Sequence, residues 1–171
     1  MQKGVVWVST VLYIVITISL ISLTLVAVTP MIERYRDRIV IEQSVQMLEK
    51  IDEMIEKISL SEGSRAKVEI VMRKGIILIN SSRDSVSWQL DGCAFMYSEP
   101  DHKIVRGKKT ILTSSSKTTP NKWFVSIEFN YSDYNITFEN EEVQKLITPS
   151  EMSYNLFIEN KGKKQIDFKL L

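Results

Sequence analysis

His102 is the single histidine of this 171-residue chain and Cys93 its single cysteine, and those two counts narrow the available chemistry. One imidazole removes histidine-based zinc sites and most dyads and triads, which need it beside further ligands or a positioned partner. Set between Pro100 and Lys103, His102 reads as a loop residue. There is no G-x-S-x-G nucleophile elbow, no Walker loop and no G-x-G-x-x-G. Glu139-Asn140-Glu141-Glu142 offers oxygens that suit calcium, but it lacks the spacing of a known loop and reads as a solvated acidic turn. Lys103, Arg106, Lys108 and Lys109 gather around Gly107. Such a patch suits acidic polymers, although the solvated tip of a hairpin is the plainer reading. A lone cysteine allows no intramolecular disulfide; it can pair between subunits, or serve as a small buried apolar residue in a strand, as Cys93 is expected to do. The residues predict no enzyme, no cofactor, no metal and no small-molecule substrate.

Asparagine supplies the next candidates. Asn80-Ser81-Ser82, Asn130-Tyr131-Ser132 and Asn135-Ile136-Thr137 are glycosylation sequons, which act on an extracytoplasmic surface. Lysine and arginine counts point the other way. Lys3 stands before the apolar segment, whereas Arg34, Arg36 and Arg38 follow it, and the positive-inside rule then favours a cytoplasmic C-terminus. The sequons outweigh that count here, and the C-terminal part is expected outside. Net charge is +1, without a basic stripe, so no nucleic-acid partner is expected.

The elements that must position these groups begin with residues 5–29, VVWVSTVLYIVITISLISLTLVAVT, an uncharged run of 25. As a helix it covers roughly 37 Å, enough to cross a hydrocarbon core of about 30 Å. An ordinary secretory signal has a shorter apolar run and a small-x-small site behind it. Here Lys3-Gly4 lies in front of the run, and a cut there leaves Val5 first and the membrane helix in place. Thr10, Thr17 and Thr24 recur every seven residues with Tyr13 on the same side. They form a candidate face where helices meet, or else their hydroxyls simply bond back to their own helix. Trp7 suits the interfacial belt.

Pro30 predicts a kink, not an end, because the following MIERYRDRIVIEQSVQMLEKIDEMIEKISL contains no further Gly or Pro. Ile41, Val45, Leu48, Ile51, Ile55 and Ile58 fall at steps of three and four, a single helical face. That face is expected to pack under the rest of the chain, or to pair with a neighbouring subunit. Gly63 is the natural stop, giving one bent helix over 5–60.

Beyond it the period changes to two. Val68–Met72 and Ile76–Ile79 flank Arg73-Lys74-Gly75; Val86–Leu90 and Cys93–Tyr97 flank Asp91-Gly92; both read as hairpins. Strands are also expected at 123–131, 134–138, 156–159 and 165–170, with Trp88 and Trp123 in the core. Residues 110–121 read as a polar loop, and 141–147 as a helical turn or a strand. The fold class is α+β: a long N-terminal helix, then an antiparallel sheet or sandwich head. The expected layout is a leader at 1–4, a membrane or filament-core helix at 5–30, its amphipathic continuation at 31–62 and a head at 63–171.

Lys3-Gly4 against this apolar helix resembles the class III signal of archaeal type IV pilin-like proteins. The resemblance implies processing after Gly4 by a prepilin peptidase, with Lys3, Gly4 and Val5 as the processing residues. It further implies partner subunits that are identical or related, and a surface filament carrying the β-head outside. Ser9 occupies the fifth mature position, where bacterial pilins usually carry Glu. The alternative is a single-pass anchor for a β-sandwich scaffold of the cell envelope, resembling archaellum stator subunits.

Overall fold

The computed structural model describes the backbone of residues 3–170 and the side chains of residues 7–170. The chain is α+β. Helix α1 spans Lys3–Ser59 and stays a single element across Pro30. Ten strands follow: β1 Arg65–Ile70, β2 Ile76–Asn80, β3 Ser85–Cys93, β4 Lys103–Arg106, β5 Lys109–Ser115, β6 Trp123–Asn130, β7 Asn135–Phe138, β8 Gln144–Ile147, β9 Tyr154–Gly162 and β10 Gln165–Leu170. They form a four-stranded sheet, β1-β9-β10-β7, and a six-stranded sheet, β4-β5-β6-β3-β2-β8. All pairings are antiparallel except β7 with β10.

The two sheets and the second half of α1 share a core. Ile41, Val45, Leu48, Ile51, Ile55 and Ile58 are all buried in it, beside Val68, Trp88, Ile127 and Phe168. The stripe therefore packs under the head of its own chain. Burying one such aliphatic side chain stabilises by about 1.5–3 kcal/mol, so the stripe ties helix to head firmly.

Three local expectations are corrected. Residues 68–72 and 76–79 are not a hairpin: β1 pairs with β9, while β2 pairs with β3 and β8 in the other sheet. Gly75 has φ +80 and lies under the Trp88 indole, which donates to the Lys74 carbonyl at 3.2 Å. Its glycine serves that close approach. Asp91-Gly92 is not a hairpin turn either. β3 runs through it as a bulge, with Leu90 opposite Val125 and Cys93 opposite Trp123. Gly92 supplies the positive φ, +74, that such a bulge favours. Thr110–Ser115 is strand β5 and not a loop, because β6 offers it a partner along its whole length. Thr113, buried on the inner side, is satisfied by Ser98.

Residues 144–147 resolve as strand, and β9–β10 is the expected hairpin. Its two central residues, Lys163 and Lys164, both take positive φ, as a type I′ turn requires. The helix end is closed from across the fold. Asn160 Nδ2 donates to the carbonyls of Ile58 at 3.0 Å and Ser61 at 3.1 Å, and Gly63 N–H donates to the Asn160 carbonyl at 2.8 Å.

Candidate functional site: the apolar helix and its seam with the head

From Trp7 to Val28 the apolar side chains of α1 are exposed; Trp7 is 76% exposed, Leu23 70% and Val26 75%. This is a helix long and apolar enough to cross a membrane, near the N-terminus, and none of its apolar window is buried within the chain. The hydroxyls on it are satisfied locally. Thr17 donates to the Tyr13 carbonyl, Ser19 to Val15 and Thr24 to Leu20, each at 2.8 Å. Thr29 donates to Leu25 at 2.7 Å, next to Pro30. Such back-bonding lets a helix carry hydroxyls in apolar surroundings without stranding a donor. Thr10 and Tyr13 lie on the same exposed segment. Lys3, Gly4 and Val5 stand in the first turns, and their side chains lie outside the described residues.

Where the helix meets the head, acids on α1 meet four lysines from three different places. Lys122 Nζ is 3.1 Å from Glu33, Lys74 is 2.8 Å from Asp37, Lys109 is 2.8 Å from Glu49, and Lys108 is 2.9 Å from Glu56. Lys108 and Lys109 thus belong to a hairpin tip that reaches back to the helix; Lys103 and Arg106 stay exposed. Sequence reasoning missed this seam; the signal that could have found it is Glu49, Asp52 and Glu56, spaced three and four apart beside the apolar stripe. The pairs at Glu33, Glu49 and Glu56, whose carboxylates are exposed or half-exposed, contribute roughly 0–1 kcal/mol each, so they set alignment more than strength.

Two carboxyls of the seam differ in kind. Burial pushes Asp37 upward, but the Lys74 ammonium and the Ala94 N–H, at 2.8 Å each, together outweigh it and hold its pKa below the usual 3.8. Burial also dominates at Asp52, and there Lys108, 3.7 Å away, does not compensate, so the pKa lies above 3.8. The buried Tyr131 hydroxyl beside it is likewise pushed up by burial and by the Asp52 charge.

Opposite pH signatures follow. Asp37, with a depressed pKa, stabilises above 3.8 and loses that contribution as pH falls through its folded value. Asp52, with a raised pKa, favours the fold when protonated and loses that contribution as pH rises through its folded value. Asp37→Asn is expected to cost about 1–2 kcal/mol at pH 7 through its two hydrogen bonds. Asp52→Asn is expected to match or exceed the parent at pH 7. The Asp37→Asn deficit shrinks as pH falls below 3.8 and through the folded value of Asp37, whereas Asp52→Asn already meets the parent below 3.8, and calorimetric melts of the detergent-solubilised protein across acid pH decide it.

The remaining candidates are scattered. His102 sits exposed in the turn before β4. Cys93 is buried at the end of β3, and burial raises its thiol to about 11, which keeps it protonated. Asn130 and Asn135 are exposed, whereas Asn80 is 6% exposed. Glu139 and Asn140 form a positive-φ turn whose N–H groups donate to the Phe168 carbonyl and to Asp167. Among the described residues no group of three or more His, Cys, Asp or Glu is placed to hold a metal ion.

No protein-family model matches the chain, and neither a curated protein nor a solved structure matches it.

Proposed function

We propose that this protein is a structural, pilin-like subunit of an archaeal type IV pilus-like surface filament. In this reading it is clipped after Gly4, and its β-head lies outside the cell. The observation that carries the reading is the uncovered apolar surface from Trp7 to Val28, rigidly continuous with a helix whose later half is sealed into the head. Such a surface demands cover, either lipid or a bundle of like helices. Exchange of one for the other is how an extracted subunit keeps its apolar face buried, and contacts that repeat head-to-tail without closing generate a fibre. The back-bonded hydroxyls at Thr17 and Thr24 suit both surroundings. The identical subunits, the prepilin peptidase and the membrane are the partners it implies, with glycans at Asn130 and Asn135 on the outer surface.

The test is the intact mass and N-terminal sequence of the protein purified from native membranes or filaments. A chain beginning at Val5 is the expected result. One still carrying Met1 or Gln2 overturns the reading, and residues 5–29 are then the plain anchor of an envelope scaffold.

A further inference from the structure

We infer that the outward face of the six-stranded sheet is a binding groove for a neutral saccharide. Alternate residues of β2, β3, β5 and β6 point away from α1, since their in-between neighbours Ile77, Trp88, Ile111 and Ile127 fill the core. On this outer side the sheet holds a groove of about 280 Å³, at the small end of ligand sites, which start near 300 Å³. Its floor is polar yet hidden: Ser85 is 2% exposed, Ser87 4% and Asn80 6%. Short side chains in the middle and longer ones beside them make the trough.

Asn80 is the second, independent observation. It lines the groove, and its side-chain oxygen is buried without a hydrogen-bond partner. Buried polar atoms are nearly always paired, and this one, hidden from solvent as it stands, meets a ligand when the amide turns over. The terminal amide torsion is soft, and a half-turn presents either the donor or the acceptor to the groove.

The lining selects the ligand class. Ser87, Asn80 and Gln89 both donate and accept, and Glu128 accepts, which is the mixed demand of neighbouring sugar hydroxyls. Phe124, half-buried on one wall, offers an apolar surface for the C–H face of a sugar ring. Arg83 and Lys103 against Glu128 leave one net positive charge, too little to build a phosphate or nucleic-acid site. A peptide strand finds no backbone here either, because β2, β3, β5 and β6 are each paired on both sides.

Saturation-transfer NMR on the full chain in a detergent without a sugar headgroup tests this. The probes are glucose, galactose, mannose and N-acetylglucosamine, with glucuronate and triglycine for comparison. The expected result is transfer to at least one neutral sugar at millimolar affinity. Gln89→Ala and Phe124→Ala are each expected to weaken binding by about three- to tenfold at unchanged melting temperature. Ser87→Leu fills the groove and removes binding; since it also stresses the fold, the two half-exposed variants carry the decision. No transfer to any neutral sugar, equal binding by both variants, or transfer to glucuronate or triglycine alone overturns the inference. None of these results depends on filament assembly.

Discussion

Asn160→Ala is expected to lower the unfolding free energy of the head by about 3–5 kcal/mol, measured by denaturant titration of the full chain. The side chain closes a helix end whose last buried residue is Ile58. Its Nδ2 donates to Ile58 and Ser61 and, at 3.4 Å, to Ser59, while its Oδ1 accepts from Gly162 N–H at 2.9 Å. The last carbonyls of a helix have no partner within it, and Asn160 supplies one to the carbonyl of buried Ile58 as well as to those of half-buried Ser59 and exposed Ser61. Truncation strands several polar groups at once, which is why the effect exceeds that of a single hydrogen bond. Asn160→Asp separates capping from packing. It keeps the volume and the acceptor for Gly162 but turns an oxygen toward three carbonyls. A donor role predicts that Asp is at least as damaging as Ala; an aspartate variant near parental stability would overturn it.

The second large effect is at Gly75. A Cβ added there meets Trp88 Cε2 and Nε1 at 2.5 Å, and the backbone φ of +80 already disfavours any L side chain. Trp88 is fully buried and anchored through its indole N–H, so it has nowhere to retreat. Overpacking of about 1–3 kcal/mol added to backbone strain of about 1 kcal/mol predicts a loss near 3 kcal/mol for Gly75→Ala. Trp88→Phe is damaging alone, since it leaves a void, but it clears the space in question. The double variant is therefore expected to lose less than the sum of the two singles, as a denaturation cycle reads directly. Strict additivity would mean that the clash is not the cause.

What was legible in the sequence was whatever a local period encodes. The six aliphatic residues from Ile41 to Ile58 announce one helical face, and the structure buries all of them. Phe129 and its alternate neighbours in β6 do the same for a strand. Lost were the features decided by distant partners. Asp91-Gly92 has the chemistry of a turn, yet β6 is long enough to hold both sides of it, so the dipeptide becomes a bulge. β5 hid because Leu112 is the one apolar residue among its outward positions and its inward Thr113 is polar, with Ser98 as the partner that makes burial acceptable. The seam was half-legible. Glu49, Asp52 and Glu56 share a helix face, but nothing local says that Lys108 and Lys109 arrive beside them from 52 and 60 residues on. The groove was illegible, since its lining is gathered from five strands and the turn after β2, and no two of its strands are marked by a shared motif.

The position of β10 sets a timetable. It lies between β9 and β7, and β1, the strand nearest the helix, is held to its sheet by β9. That sheet cannot close until residues 165–170 have left the ribosome, whereas the apolar segment is complete by residue 30. At about 5–20 residues per second the interval is on the order of ten seconds. Throughout it the anchor is ready to insert while the face from Ile41 to Ile58 still lacks the core that will cover it. The apolar segment is therefore complete while the head is unfinished, and the aliphatic face from Ile41 to Ile58 stays uncovered until the final strand slots in.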